Sequence, residues 1–361
     1  MLDKMVQGRN SLYRFYFLEG WERKIRMSTL TRDNRFDNLK GLMMFLVVFC
    51  HFIEKMYGAW PQDILTKGIY YTVYLFHMPV FIFISGYFSK NDQSDDYFRK
   101  VISHCLIPYI FFNYIYGLLD TGGNFWQSLV NLCYPQWTMW YMISLVLWKI
   151  LARPVSKFIG TIVISILVSL FVGFTNISTL FSLARTFSFF PYFLAGYLLP
   201  KETVEKARSL KKVYVLLGFV AVIAVSFMIQ RQNVGVYALY MSVPYKNLEM
   251  ALWQSLIVRM VLLATGFLCI LGFLAIAWEK HSVITTLGRN SVLVFLIHSG
   301  IIRLLMKVAG DKIDNGPVSI LLSLAFTTVV CFLFGNQYTA KAYNTVIKSI
   351  SGLILKDGKK S

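Results

Sequence analysis

Long apolar stretches recur along this chain, separated by short polar joints. A helix needs about 20 mostly apolar residues, at ~1.5 Å rise each, to cross a hydrocarbon core of ~30 Å. The stretches are continuously apolar rather than alternating with a period of two, which argues against a membrane β-barrel. Charged residues make up only 15% of the chain, whereas soluble domains carry about 25%. We therefore predict an all-α integral membrane protein.

The apolar stretches predict about ten transmembrane helices. Their expected ranges are 39–57, 68–88, 100–119, 137–152, 158–174, 180–199, 213–230, 256–278, 290–309 and 317–335. The stretches at 137–152 and 158–174 are short for full spans. Most of the 36 Lys and Arg residues lie in joints on the same side as both chain ends. Because cytoplasmic loops carry the excess of Lys and Arg, we predict that both termini are cytoplasmic.

The chain is predicted to form one membrane domain with a basic segment at each end. Residues 1–36 are the basic N-terminal segment, residues 37–336 the membrane domain, and residues 337–361 the basic C-terminal tail. Either the first ~35 residues form a cytoplasmic amphipathic segment that rests on anionic lipid, or the true start is Met27 and residues 1–26 are not part of the mature chain. The formal net charge of +18 follows from the loop distribution, so we expect the lipid bilayer and no nucleic acid as a partner.

Ionisable side chains fall inside the predicted spans, where each costs about 2.5–3.5 kcal/mol and usually faces a protein-lined cavity. They are His51, Glu54, His77, His104, Arg185, Arg259 and His298. His51 lies eleven residues beyond Lys40 on an outward helix, which places it near the bilayer centre. His77 reaches a similar depth on the next helix, whereas His298 falls in the inner half. We predict that His51 and His77 face one another and transfer protons.

Each of these side chains also has a simpler interpretation. A histidine inside a span can serve packing alone, through a hydrogen bond between helices. We expect no metal site, because no HxxxH or HExxH spacing is present. Arg185 and Arg259 lie toward the outer ends of their helices and either extend to the headgroups or bind an anion or sugar. The predicted substrate-binding set is Glu54, Arg185, Arg259 and His298.

A second group of basic residues lies at the predicted cytoplasmic ends of the first and third spans. It consists of Lys40, Arg99, Lys100 and His104. Ordinary flanking charge at the inner membrane surface explains such residues. The alternative is a pocket in which charge-assisted hydrogen bonds hold the phosphates of a nucleotide-bearing substrate.

Several short motifs occur in a fixed order between residues 35 and 300. They are Arg35-Phe-Asp-Asn-Leu-Lys40-Gly-Leu followed by His51, Phe76-His77-Met78-Pro79, Phe83-Ile84-Ser85-Gly86-Tyr87, His104-Cys-Leu-Ile-Pro108-Tyr, Trp137-Thr-Met-Trp140-Tyr, Phe190-Pro191-Tyr-Phe-Leu-Ala-Gly196-Tyr, and Leu287-Gly288-Arg289-Asn290-Ser291 before His298. Together they resemble the integral-membrane acyltransferase 3 family, and within it the fucose 4-O-acetylase-like group.

The resemblance implies ten core helices, an acyl-CoA on the cytoplasmic side and an acceptor that is commonly a cell-surface or lipid-linked glycan. It implies that Lys40 and His51 are the essential basic residue and histidine of the first helix. The paired basic residues before the third-helix proline correspond imperfectly to Arg99 and Lys100, because His104 stands where Arg or Lys is usual. The expected location is the inner membrane of a bacterium, with several passes through it.

From these observations we expect an O-acyltransferase that uses acetyl-CoA, with succinyl-CoA as the other candidate. Lys40, Arg99, Lys100 and His104 would bind the phosphates of the acyl-CoA. His51 would act as general base, with His77 orienting it or donating to the developing oxyanion. An acyl-histidine intermediate is the other route. The alternative functions are a proton-coupled transporter or glycan exporter that uses the histidines as a relay, and a non-catalytic membrane sensor.

Overall fold

The computed structural model describes residues 33–56, 63–90, 96–177, 179–309 and 315–355. Within these ranges the chain is helical and has no strand. Almost all of the predicted N-terminal segment lies outside the described residues, as do the last residues of the predicted tail. The division into 1–36, 37–336 and 337–361 therefore stays a prediction.

The described residues form helices of very different length. In chain order they are α1 (Asn34–Met56), α2 (Ile64–Ser89), α3 (Tyr97–Asp120), α4 (Phe125–Val130), α5 (Trp140–Val155), α6 (Thr161–Phe171), α7 (Leu183–Leu198), α8 (Lys201–Arg208), α9 (Lys212–Arg231), α10 (Val236–Tyr240), α11 (Leu252–Ile276), α12 (Val283–Arg289), α13 (Ser291–Ala309), α14 (Gly316–Phe334) and α15 (Gln337–Ile354).

Seven of the described helices are long and apolar enough to cross a membrane, namely α1, α2, α3, α9, α11, α13 and α14. The all-helical, multi-pass membrane protein is thereby confirmed. Helices α5, α6 and α7 occupy the predicted spans 137–152, 158–174 and 180–199, but they have 16, 11 and 16 residues. A span of average length needs about 20 residues. The count of ten spans and the cytoplasmic placement of both termini stay predictions.

Helix α5 is short because the chain between α3 and α5 folds back along α3. The hydroxyl of Tyr109 donates to the carbonyl oxygen of Leu132 at 2.6 Å. The side-chain amide of Asn113 donates to the carbonyl oxygen of Asn131 at 3.0 Å and accepts from the backbone N–H of Gln136 at 2.7 Å. Non-helical backbone at membrane depth is tolerated where protein groups satisfy it, as they do here.

The depth of this returning segment follows from its partner on α3. Tyr109 lies eleven residues before Asp120, the last residue of α3, which corresponds to ~16 Å along a helix. The chain has therefore returned well into the bundle before α5 begins at Trp140. At the other end, the hydroxyl of Tyr97 donates to the carbonyl oxygen of Lys149 at 2.7 Å. Helix α5 thus runs from the interior of the bundle to the side where α3 begins.

Helices α2 and α7 cross with their backbones in direct contact. A Cβ atom added at Gly86 would overlap the carbonyl oxygen of Phe193, and one added at Gly196 would overlap the carbonyl oxygen of Phe83. The two helices carry the same local pattern, Phe-x-small-Gly-Tyr, at this crossing. Small residues allow such close approach inside a membrane, where van der Waals packing holds helices together.

Helices α1 and α12 form a second crossing of the same kind. A Cβ atom added at Gly41 would overlap the carbonyl oxygen of Ile284, and one added at Gly288 would overlap the carbonyl oxygen of Asp37. The Asp37 carboxylate, buried at 1% side-chain exposure, pairs with Arg289 at 3.1 Å. Glycine packing and an ion pair therefore fix α12, and with it the start of α13, against α1.

The predicted C-terminal tail begins with a helix. Residues 337–354 form α15, which returns along α3 after α14 ends. Ile347 is buried in this contact, and Ile350 and Ile354 share an apolar groove with Ile107. This part of the predicted tail therefore packs against the bundle through one apolar face.

Candidate active site

One cavity inside the bundle collects ionisable residues from α1, α2 and α7. We call it the histidine cavity. It is lined by Val47, His51, Glu54, Tyr74, His77, Met78, Trp137, Thr138, Trp140, Tyr141, Arg185, Phe189, Leu239, Tyr240 and Phe295. The folded-back segment and the first turn of α5 contribute its aromatic wall. Four of the predicted site residues, His51, Glu54, His77 and Arg185, therefore meet in one place.

His51 is hydrogen-bonded to His298, on α13. Nδ1 of His51 lies 3.0 Å from Nε2 of His298, and Nδ1 of His298 lies 3.1 Å from the carbonyl oxygen of Val294. A carbonyl oxygen only accepts, so His298 carries its proton on Nδ1 and, when neutral, accepts at Nε2. His51 then donates from Nδ1. This leaves Nε2 of His51 unprotonated, which is the state that a general base requires.

The pairing of His51 with His298 corrects the predicted arrangement, in which His298 lay deeper and His77 was the partner. The prediction counted each depth from the start of a predicted span. The register is set instead by the contact between Gly41 and Gly288. Both histidines follow their glycine by ten residues, so they reach the same level. His298 is fully buried and acts on His51 rather than lining the cavity.

His77 lines the histidine cavity but has a separate partner. Its Nδ1 donates to the carbonyl oxygen of Val73 at 2.8 Å, and its ring stands edge-on to Tyr74 with centroids 4.6 Å apart. The bond to Val73 assigns the proton to Nδ1 and leaves Nε2 as an acceptor. A neutral His77 in this tautomer is set to accept a hydrogen bond within the cavity, and it does not orient His51.

Glu54 lies among tyrosine hydroxyls, one turn beyond His51. Its Oε2 accepts from the hydroxyl of Tyr70 at 3.3 Å and from that of Tyr74 at 3.4 Å. The Tyr70 hydroxyl also contacts the hydroxyl of Tyr240. A carboxylate that accepts several hydrogen bonds is held in one orientation. The sequence predicted Glu54, but it gave no sign that these tyrosines surround it.

Arg185 closes the same side of the cavity through aromatic contacts. Its guanidinium lies 5.2 Å from the ring centroid of Trp140 and 5.8 Å from that of Tyr240. A guanidinium over an aromatic face is stabilised by the ring quadrupole, more strongly where water is excluded. Its planar group of five N–H donors remains suited to oxygen atoms of a bound molecule. Arg185 thus lines the histidine cavity, and its role in substrate binding stays a prediction.

Arg259 does not reach the histidine cavity, contrary to its predicted role in substrate binding. It is 3% exposed and donates to the carbonyl oxygen of Ser169 at 3.2 Å. Its guanidinium also lies 4.7 Å from the ring centroid of Tyr245. Ser169 is in the last turn of α6, where backbone carbonyls have no partner within the helix. Arg259 therefore stabilises the end of a short helix.

A second cavity lies toward the side where α3 begins, and we call it the lysine cavity. Its lining includes Lys40, His104 and Lys149, together with the serines Ser85, Ser89 and Ser291. Lys40 and His104 are therefore brought together as predicted. Arg99 and Lys100 are not among the lining residues. Lys149, which is not in the predicted basic group, also lines the cavity.

A wide turn in α3 shapes the wall of the lysine cavity. Residues Ile102–Leu106 form a π-helical turn inside the helix and end two residues before Pro108. Proline has no N–H to donate to the carbonyl four residues earlier, so a regular α-helical turn at this point would lose a bond. Single π turns accommodate such positions and occur often at functional sites. Here the turn contributes His104 and Cys105 to the cavity lining.

Two aromatic residues line both cavities and separate them. Tyr141, in the first turn of α5, and Phe295, on α13, meet edge to face with ring centroids 5.1 Å apart. The hydroxyl of Tyr141 is hydrogen-bonded to that of Ser85 at 2.7 Å. Both rings are 4% exposed. The histidine cavity and the lysine cavity therefore share these two side chains as a common wall, which we call the partition.

A sequence model of a family of acyltransferase domains matches residues 33–336. The chain belongs to this family. The match extends from the start of α1 to the end of α14 and so includes both cavities and the partition. The predicted family is confirmed, and the protein is a membrane acyltransferase.

Curated relatives of this acyltransferase are nodulation proteins. Nodulation protein NolL of Sinorhizobium fredii is 24% identical over 334 residues, which cover 83% of this chain and 86% of the relative. Nodulation protein NolL of Mesorhizobium japonicum is 33% identical over 63 residues, which cover 18% of this chain and 17% of the relative. No solved structure matches the chain.

Proposed function

We propose that this acyltransferase moves an acyl group, most simply acetyl, from cytoplasmic acyl-CoA to a hydroxyl of a glycan in a bacterial inner membrane. The observation that carries the proposal is the pair of cavities that meet at Tyr141 and Phe295. One contains two lysines, and the other contains a histidine with an unprotonated nitrogen. The lysine cavity suits a polyanionic acyl carrier, and the histidine cavity suits an acceptor with a hydroxyl group. Tyr141 and Phe295 form the wall that the two cavities share.

The lysine cavity supports the choice of acyl-CoA. Lys40 and Lys149 line it, and lysine ammonium groups bind phosphate through charge-assisted hydrogen bonds. Serine hydroxyls on its wall suit the amide groups of a pantetheine arm. In the predicted topology this cavity opens toward the cytoplasm, where acyl-CoA is available. The thioester would pass between Tyr141 and Phe295 to reach His51.

The histidine cavity supports a carbohydrate acceptor. Sugars present apolar faces, which pack on aromatic rings, and hydroxyl edges, which need hydrogen-bonding partners. The cavity supplies Trp137 and Trp140 as aromatic walls and Glu54 and Arg185 as polar partners. Carboxylate and guanidinium groups together accept from and donate to neighbouring hydroxyls. A single sugar residue of a longer or lipid-linked glycan fits this chemistry.

The proposed transfer uses the unprotonated Nε2 of His51 as the general base. Nε2 of His51 removes the proton from the acceptor hydroxyl while that oxygen attacks the thioester carbon. The new C–O bond forms and the carbonyl electrons move to oxygen, giving a tetrahedral oxyanion. Its collapse breaks the C–S bond, and the departing thiolate takes the proton back from His51. The products are an O-acyl glycan and free CoA, and His298 stabilises the transient imidazolium of His51 by accepting its Nδ1 proton in a hydrogen bond.

The test uses the full-length protein purified in detergent. Calorimetry measures acetyl-CoA and succinyl-CoA binding, and radiolabelled acetyl transfer is measured with methyl glycosides as acceptors. We expect His51→Ala to bind acetyl-CoA like the wild type and to transfer nothing. The matched control is His281→Ala, because His281 is an exposed histidine outside both cavities. Failure of the folded wild type to bind either acyl-CoA, or transfer by His51→Ala, would contradict the proposal.

A further inference from the structure

Thr138 presents a buried hydroxyl with no assigned role. The residue is 2% exposed, lines the histidine cavity, and its Oγ1 has no hydrogen-bond partner among the described residues. Buried hydroxyls in folded proteins nearly always have a partner, because an unsatisfied one costs about 1–3 kcal/mol. The oxygen of Thr138 is covered by protein in this rotamer, but the residue lines the cavity, so rotation about χ1 can present the unsatisfied hydroxyl to a bound molecule.

The position of Thr138 relates it to both the base and the partition. Its neighbour Trp137 packs on His51, with ring centroids 4.9 Å apart. Tyr141, three residues later, belongs to the partition through which the thioester would enter. Along the chain, Thr138 therefore lies between a residue that packs on His51 and a residue of the partition, and all of them line the same cavity. Helix α5 begins two residues after Thr138, inside the bundle, so the positive end of its dipole is directed at the same place.

The local backbone holds Thr138 in one position. Trp137 has a φ of 37°, a left-handed conformation that is costly for a residue with a side chain. The turn is fixed on both sides, because Gln136 donates its N–H to Asn113 at 2.7 Å and accepts from the N–H of Met139 at 2.8 Å. A polar group on a rigid turn is preorganised, as electrostatic stabilisation of a transition state requires.

We infer that the hydroxyl of Thr138 donates a hydrogen bond to the oxyanion formed when the acceptor attacks the thioester. The inference rests on the proposed function and adds a catalytic residue to it. As the C–O bond forms and the carbonyl electrons move to oxygen, Oγ1 donates to that oxygen. When the C–S bond breaks, the electrons return to re-form the carbonyl and the interaction weakens. Thr138 exchanges no proton, so the balance set by His51 is unchanged.

The experiment compares Thr138→Val, which keeps the shape and removes the hydroxyl, with Thr138→Ser, which keeps the hydroxyl. The assay records thiol release from acetyl-CoA with and without methyl glycosides, so that transfer and hydrolysis are both detected. Removing one oxyanion donor lowers kcat by about 100- to 1000-fold. We expect such a loss for Thr138→Val, with KM values close to those of the wild type, and activity near wild type for Thr138→Ser.

Thr327→Val is the matched control. Thr327 is also fully buried and its hydroxyl likewise has no partner in the described part of the chain, but it lies on α14 outside the histidine cavity. This control should keep the wild-type kcat. Wild-type kcat in Thr138→Val, or an equal loss in Thr138→Ser, would overturn the role of Thr138 while leaving the proposed function intact. A wild type that releases no thiol would overturn both.

Discussion

The hydrogen bond between His51 and His298 leads to a prediction that depends on the proton positions. Nε2 of His298 accepts from Nδ1 of His51 at 3.0 Å. His298→Leu removes this acceptor and fills a similar volume, which limits the loss of packing at a fully buried position. His298→Gln places a side-chain oxygen near the former position of Nε2 and keeps an acceptor. The two variants therefore differ mainly in whether His51 retains its partner.

The expected loss in kcat is the difference between two strengths of one bond, because only the gain on going to the transition state affects kcat. Before the reaction the bond is neutral and contributes about 0.5–1.5 kcal/mol. When His51 takes a proton, the same bond becomes charge-assisted and is worth about 1.5–3 kcal/mol. The difference is roughly 1–2.5 kcal/mol, or about 5- to 70-fold in kcat. We expect this loss in His298→Leu and a clearly smaller one in His298→Gln.

The assay is acetyl transfer from acetyl-CoA in detergent, with acetyl-CoA affinity measured by calorimetry as a check on folding. The affinity also tests the role itself. If His298 acts only through His51, then His298→Leu should lower kcat and bind acetyl-CoA as the wild type does. Activity of His298→Leu within twofold of the wild type would refute the assignment. So would an equal loss in His298→Gln with unchanged acetyl-CoA affinity.

Two further predictions concern the glycine crossing and the lysine cavity. Gly86→Ala should destabilise the protein by about 1–3 kcal/mol and lower its thermal transition temperature in detergent, because the new Cβ overlaps the carbonyl oxygen of Phe193. The control is Gly68→Ala on the same helix, where no atom lies within 4 Å of the new Cβ. This variant should keep the transition temperature or raise it. Lys149→Gln should weaken acetyl-CoA binding about tenfold in calorimetry, and exposed Lys246→Gln should not.

Much of the fold could be predicted from the sequence because a bilayer imposes simple rules. Helix length and continuous apolarity identify the spans, and the structure has a helix at each of the predicted positions. The exception is the predicted span at 137–152, where the chain first folds back along α3 and the helix begins inside the bundle. Hydropathy indicates whether a segment is buried in lipid or protein, but it does not indicate the direction that the segment takes. The hydrogen bonds that Tyr109 and Asn113 make to the returning chain are tertiary contacts. No local pattern reports them.

The site could be predicted only in part, for a related reason. An ionisable residue inside an apolar span is easy to recognise in the sequence, because it is costly in lipid. The four residues His51, Glu54, His77 and Arg185 could therefore be proposed. The hydrogen-bond partners of these residues could not be predicted in the same way. His51 and His298 are 247 residues apart in the sequence, and they lie at the same depth only because of the crossing between α1 and α12. Neutral residues such as Thr138 and Tyr141 cause no conflict with lipid. The roles proposed for them rest on the cavity lining and on the unsatisfied hydroxyl of Thr138, which only the structure shows.

The two glycine crossings restrict how the protein can move. Helices that touch through their backbones cannot turn or slide past one another, because either motion brings a side chain into the contact. The pairs α1–α12 and α2–α7 are therefore expected to move as rigid units. Secondary transporters alternate access by rocking such units apart. With both pairs locked, we expect a passage between the two cavities to open by movement of the Tyr141 and Phe295 side chains and not by rocking of the bundle.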